Sequence, residues 1–81
     1  MSSRLGVIGI VIEEMGVVPQ VNKILSNHSQ IIVGRMGIPY RQREVAVISL
    51  IVDGNTDEIG SITGKLGAIK GVSVKSALTT K

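Results

Sequence analysis

Few residues in this sequence have the types and spacing that chemistry requires. There is one histidine, His28, an adjacent acidic pair, Glu13 and Glu14, and a group of arginines in "RMGIPYRQR", where Arg35, Arg41 and Arg43 lie around Tyr40. The chain has no cysteine, which removes disulfides, thiolate metal sites, iron–sulfur ligation and cysteine nucleophiles. His28 falls at the end of a helical face with no acid spaced to reach it, so a Ser/His/Asp arrangement is not expected. A lone histidine there reads as a packing residue, or one favoured by the helix dipole, rather than a metal ligand. Glu13 and Glu14 are neighbours, and successive strand residues point to opposite faces, so they do not form a facing acid/base pair. The expectation is a chain without enzymatic activity, metal or cofactor.

Charge narrows the partners. Nine basic and six acidic residues give a net charge of +3, and the basic ones are scattered from Arg4 to Lys81. The arginine group around Tyr40 is the densest, and reads as a solvated hairpin tip or as a surface for phosphate, nucleic acid or a protein partner. Tyr40 is the sole aromatic, so no base-stacking platform can be assembled.

The elements that must position these residues follow from hydropathy. "RLGVIGIVIEE", Arg4 to Glu14, is a continuous β-branched run that reads as a strand buried on both faces. Its two glutamates and the lack of a small-residue cleavage site set it apart from a secretory signal, and no apolar run approaches the roughly 20 residues of a membrane span. The cytoplasm is therefore the expected location. Val21, Ile24, Leu25 and His28 then share one helix face, with Pro19 suited to the first turn. Gln30 to Ile38 reads as a second strand, "PYRQ" as a turn, and Arg43 to Gly54 as a third strand. In that third strand Val45, Val47 and Ile51 take one face and Ile48, Leu50 and Val52 the other.

Asn55 with Glu58 three residues on forms a capping-box pattern that opens a second helix. Ile59, Ile62, Leu66 and Ile69 form its core stripe, and Gly71 stands where a helix C-terminus favours glycine. Val72 to Leu78 closes the chain as a half-exposed strand. Gly60, Gly64 and Gly67 lie to one side of the stripe, where they either leave room for another helix or chain or are tolerated on a solvent face.

The order β-α-β-β-α-β is internally duplicated, with Val7 matching Val47 and Val21 matching Ile59. Right-handed crossovers turn two such units into an α+β, ferredoxin-like sandwich: a four-stranded antiparallel sheet with both helices on one face. A single domain over residues 1–81 is expected. A chain this short buries a modest fraction of its surface, which favours help from a partner. The first and third strands, apolar on both faces, would form the centre of the sheet and leave an apolar patch on its helix-free face, a mark of self-association.

On "GVIGIVIE", "VNKIL", "REVAVISLIVDG" and "ITGKLGAIKGVSVKSAL", the whole chain resembles a small ACT-like family named as a regulator of iron-only hydrogenase systems. Leu66 to Lys75 is also similar to the C-terminal sensing domain of nickel-responsive repressors. The resemblance implies a non-enzymatic regulatory module forming dimers or higher oligomers. ACT domains hold amino acids or related ligands near the first strand-to-helix loop, which places the expected ligand site at Glu14, Met15, Gly16 and Val17, beside Glu13. An interaction surface for a protein partner or, less in keeping with the composition, nucleic acid is expected at Arg35, Tyr40, Arg41 and Arg43. No counterpart of the repressors' DNA-binding ribbon-helix-helix is expected, with the first core strand beginning by Leu5, and their nickel site of histidines and a cysteine cannot be built from His28 alone.

Overall fold

Alternation governs how the strands bury their residues. In the computed structural model, which describes residues 3–79, β1 (Arg4–Ile12) buries Ile8, Ile10 and Ile12 and leaves Leu5, Val7 and Val11 in solvent. The strand is therefore buried on one face only, because nothing among the described residues covers the other. β3 (Val45–Gly54) behaves in the same way: Ile48, Leu50 and Val52 are buried, while Val47 and Ile51 are exposed. β1 and β3 pair antiparallel at the centre of a four-stranded sheet of order β2-β3-β1-β4, with β2 (Ile32–Tyr40) and β4 (Val72–Leu78) at the edges.

The two helices cover one face. α1 (Val18–Asn27) follows a 3-10 turn at Met15–Val17, carries Pro19 in its first turn, and buries Val21 and Leu25. α2 (Thr56–Gly67) begins with a complete capping box: the Asn55 side chain accepts from the Glu58 N–H at 2.8 Å, and the Glu58 carboxylate accepts from the Asn55 N–H at 3.0 Å. These bonds satisfy two donors that a helix start otherwise leaves orphaned. Ile59, Ile62 and Leu66 then point into the core, joined by Ile69 just beyond the helix. The core is a single apolar layer between the helices and the sheet, and no polar side chain among the described residues is buried in it. No helix among the described residues is long and apolar enough to cross a membrane.

Two boundaries differ from the sequence reading. Pro39 and Tyr40 are the last residues of β2, opposite Ala46 and Val45, and the reversal is made by a 3-10 turn at Arg41–Arg43 closed by Glu44 in the left-handed region, φ 55°. Proline is tolerated there because β2 is an edge strand, where a missing N–H need not break a ladder. Second, α2 ends at Gly67 with Ala68 as its cap, so Gly71 does not terminate the helix. Gly71 instead turns the chain into β4 at φ 86°, and its carbonyl accepts from the Glu13 N–H at 2.7 Å. A Cβ on Gly71 would lie 2.6 Å from the Glu14 Cβ, so only glycine fits where the two loops touch.

The other helix glycines have the opposite character. An added Cβ at Gly60, Gly64 or Gly67 meets nothing within 4 Å, and all three are exposed. They make no close approach to the other described residues.

These contrasts give two expected outcomes in urea denaturation. Gly71→Ala should lower stability by about 1–3 kcal/mol, from left-handed strain and the collision with Glu14; an unchanged midpoint would refute the tight loop contact. Gly64→Ala should raise stability by roughly 0.5–1 kcal/mol, and a loss instead would mean that another chain packs against that helix.

Candidate functional site

The loop between β1 and α1 and the end of the β2–β3 hairpin are far apart in sequence and meet at one end of the sheet. Met15, from the 3-10 turn, faces Pro39, Arg41, Glu44 and Val45 across a cavity of about 490 Å³. Three apolar walls and two opposite charges make this concavity. Neither guanidinium of the turn, Arg41 or Arg43, has a hydrogen-bond or ion-pair partner among the described residues. The Arg41 group therefore stands beside an apolar wall with its donors uncommitted, a setting that favours an anionic oxygen pair.

Glu44 is the one non-glycine residue with positive φ among the described residues. Left-handed backbone costs an L residue roughly 1–2 kcal/mol, and glycine would be easier to place there. The turn keeps a carboxylate at the cavity rim instead.

The expected ligand loop is only partly open. The Glu13 N–H is bound to the Gly71 carbonyl, and the Val17 N–H to the Glu14 carbonyl at 3.1 Å. The first amides of the 3-10 turn, Met15 and Gly16, have no partner within the turn, as at any helix start. Glu14 is the turn's N-cap residue, with an extended backbone and no side-chain capping bond. Met15 is exposed and Val17 packs against the core. Of the four residues Glu14 to Val17, Met15 lines the cavity.

The arginine group divides. Arg41 and Arg43 share the hairpin turn, but Arg35 lies back along β2 on the helix side of the sheet, opposite Leu50, with its Nη2 donating to the Asn22 Oδ1 of α1 at 3.1 Å. Arg41 lies six positions beyond Arg35, about 20 Å along an extended strand, so the three do not form one cluster. Tyr40 projects to the opposite, helix-free face, paired with Val45.

That helix-free face is apolar over most of its area. Register aligns Ile38, Val47, Val11 and Ser73 in one row across the four strands. Met36, Ser49, Gly9 and Lys75 form the next row, and Gly34, Ile51, Val7 and Ala77 the third. Met36 is 61% exposed, Leu5 52%, and Val7 and Ile51 47% each, so the face lies open in the single chain.

His28 has company that the sequence did not reveal. It caps the C-terminus of α1, with Nδ1 at 2.9 Å from the Ile24 carbonyl and Nε2 at 3.4 Å from the Ser61 Oγ of α2. A carbonyl accepts only, so Nδ1 carries a proton and, in the neutral ring, Nε2 accepts from the serine hydroxyl. Asp57, Glu58 and Asn27 line the same cleft, about 290 Å³ in volume. The pairing of α1's end with α2's start is what brings an acid and a hydroxyl to His28. Even so, Nδ1 is held by a carbonyl rather than a carboxylate, and the Glu58 carboxylate is engaged in the capping box. The arrangement works as a bridge between helices, and it lacks the carboxylate–imidazole contact of a catalytic triad. No group of three or more His, Cys, Asp or Glu side chains among the described residues is placed to hold a metal ion.

Comparison with known proteins places this geometry. The model of the TM1266-like family, named as a regulator of the iron-only hydrogenase system, matches residues 4–76. The structure of the uncharacterized protein TM1266 from Thermotoga maritima is 36% identical, with a TM-score of 0.92 over 98% of this chain and 100% of that one. The ACT domain of GTP pyrophosphokinase from Chlorobium tepidum superposes with a TM-score of 0.71 at 22% identity, over 100% of this chain and 91% of that one. CPII, a nitrogen regulatory PII-like protein from Thiomonas intermedia solved with ADP, AMP and bicarbonate, gives 0.53 at 15% identity, over 96% and 92% of the two chains. At these lower identities the likeness is one of fold, the ferredoxin-like, ACT-like βαββαβ arrangement. No curated protein matches the sequence.

The strained carboxylate provides a direct test. Glu44→Gly relieves left-handed strain and should leave stability unchanged or raise it by up to about 1 kcal/mol in urea denaturation. A marked loss would mean that the Glu44 side chain supports the turn rather than the cavity.

Proposed function

This chain belongs to the TM1266-like family named for regulation of iron-only hydrogenase systems, and on that premise we propose that it is a non-enzymatic, single-domain regulatory module of the cytoplasm. It self-associates as a dimer or tetramer and senses a small ligand. The observation that carries the ligand reading is the cavity between Met15 and the hairpin turn, where an uncommitted Arg41 and an opposing Glu44 flank an apolar wall. That combination suits an amino acid or a related organic anion: Arg41 takes the carboxylate, Glu44 an ammonium group, and Met15, Pro39 and Val45 the apolar remainder. Met15 lines this cavity, and Glu14, Gly16 and Val17 flank it in the same loop.

A second reading rests on Arg41 and Arg43 lying two residues apart in one 3-10 turn, both exposed and without side-chain partners among the described residues. With Tyr40 they would offer a contact for an acidic surface of a protein partner. A backbone phosphate of nucleic acid would suit the same charges, though without stacking support.

Thermal unfolding with amino acids and short carboxylates tests the first reading. A ligand at 100 times its dissociation constant adds about 2.7 kcal/mol, which for a domain of this size raises the melting temperature by roughly 10 °C or more. Arg41→Ala should abolish most of that rise, and a flat response to the whole panel would defeat the sensor reading. For the second, replacing Arg41 and Arg43 together with alanine should weaken capture of the partner and its dependence on salt, and undiminished capture would exclude the turn as the contact.

A further inference from the structure

We infer that Glu44 decides what the cavity between Met15 and the hairpin turn accepts: a zwitterion with an uncharged aliphatic body, its ammonium group against the Glu44 carboxylate and its carboxylate against Arg41, in preference to a plain carboxylate of the same shape. The inference rests on the ligand reading given above and narrows it, from organic anions at large to molecules that carry both charges.

Charge placement supports it first. Arg41 opens the 3-10 turn and Glu44 closes it, and both line the one cavity. The Glu44 N–H donates to the Arg41 carbonyl at 3.1 Å, which holds the two residues in a fixed relation. Their side chains nevertheless make no ion pair or hydrogen bond, with each other or with any other described residue. Both charges are free to meet a ligand. An anion that enters beside Arg41 also meets the Glu44 carboxylate, and like charges beside an apolar wall repel. An ammonium group on the same ligand turns that repulsion into attraction. Glu44 thus rejects one class of ligand and holds another, the combination from which specificity is built. The cleft at His28 has no such pair, since Asp57 and Glu58 line it without an arginine or lysine.

Backbone conformation supports it independently. Glu44, at φ 55°, is the one non-glycine residue with positive φ among the described residues. That region suits glycine, asparagine and aspartate, and a glutamate gains nothing there from its own backbone. No hydrogen bond from the Glu44 side chain steadies the turn, so the turn itself does not call for a carboxylate. A residue held in a costly conformation without a structural role points to a use for its side chain.

The remaining walls define the ligand's body. Met15, Pro39 and Val45 are apolar, and no third charged residue among the described ones lines the cavity. A second carboxylate or a second ammonium group would lose water there and find no partner. The volume of about 490 Å³ is that of a small-molecule site.

Calorimetric titration of the full chain with matched molecules tests this: leucine against isocaproate, which lacks only the amine, and valine against isovalerate, a shorter pair differing in the same way. The native chain should bind at least one of the amino acids about tenfold or more tighter than its deaminated twin. Glu44→Gln should reduce that preference to less than about twofold, and should bind the plain carboxylate more tightly than the native chain does, a gain that damage to the fold would not produce. Should Glu44→Gln fail to fold, Glu44→Gly removes the carboxylate together with the left-handed strain and carries the same expectation. Equal binding of the twins by the native chain overturns the role of Glu44 and leaves the cavity as an anion site. A preference that survives the loss of the carboxylate overturns that role as well. Failure of all four molecules to bind overturns both this inference and the ligand reading beneath it.

Discussion

The structure depends on one mismatch: its two central strands are apolar on both faces, and the chain has helices enough to cover one. Ile8, Ile10 and Ile12 of β1 and Ile48, Leu50 and Val52 of β3 pack beneath α1 and α2 and form the core. Fully burying such a side chain contributes about 1.5–3 kcal/mol, so this layer dominates the stability of so small a domain. The residues between them, Val7, Val11, Val47 and Ile51, belong to the same strands and cannot be moved to the core without a one-residue slip that would expose the first set. Register fixes the open face as firmly as it fixes the buried one.

Much of this was readable from residue order. Period-two and helical spacing gave the strand faces and the Ile59, Ile62 and Leu66 stripe, because hydrophobic periodicity records which side of an element meets the core. The capping box was readable for a related reason: it is a local circuit of four residues, and Asn55 and Glu58 complete it without help from the rest of the chain. Resemblance over the same segments identified the family and the ACT-like fold.

What could not be read depends on contacts between distant segments. "PYRQ" has the composition of a turn, yet Pro39 lies in β2 because an edge strand has no outer neighbour needing its N–H. Gly71 resembles a helix terminator, but its positive φ serves a meeting with Glu14 that only the folded chain creates. The same holds for the candidate site. Met15 and Arg41 were singled out for unrelated reasons, and nothing in their spacing signals that they line one cavity. Arg35 shows the converse error: proximity in sequence suggested a cluster that the strand's length pulls apart.

The cavity and the open face also share a border, which gives ligand binding and the proposed self-association a physical connection. Val45 lines the cavity and, opposite Tyr40, lies on the helix-free side of the sheet, one step beyond the row that holds Val47 and Ile38. A second copy stacked on that face would bring new surface up to the cavity's rim and remove water from around Arg41 and Glu44. Charge-assisted hydrogen bonds gain strength as their surroundings lose water. Ligand would then bind the assembled form more tightly than the single chain, and by reciprocity its binding would favour assembly to the same degree. A sheet with one uncovered face is on this view the means by which the chain could convert occupancy of a small cavity into a change of oligomeric state.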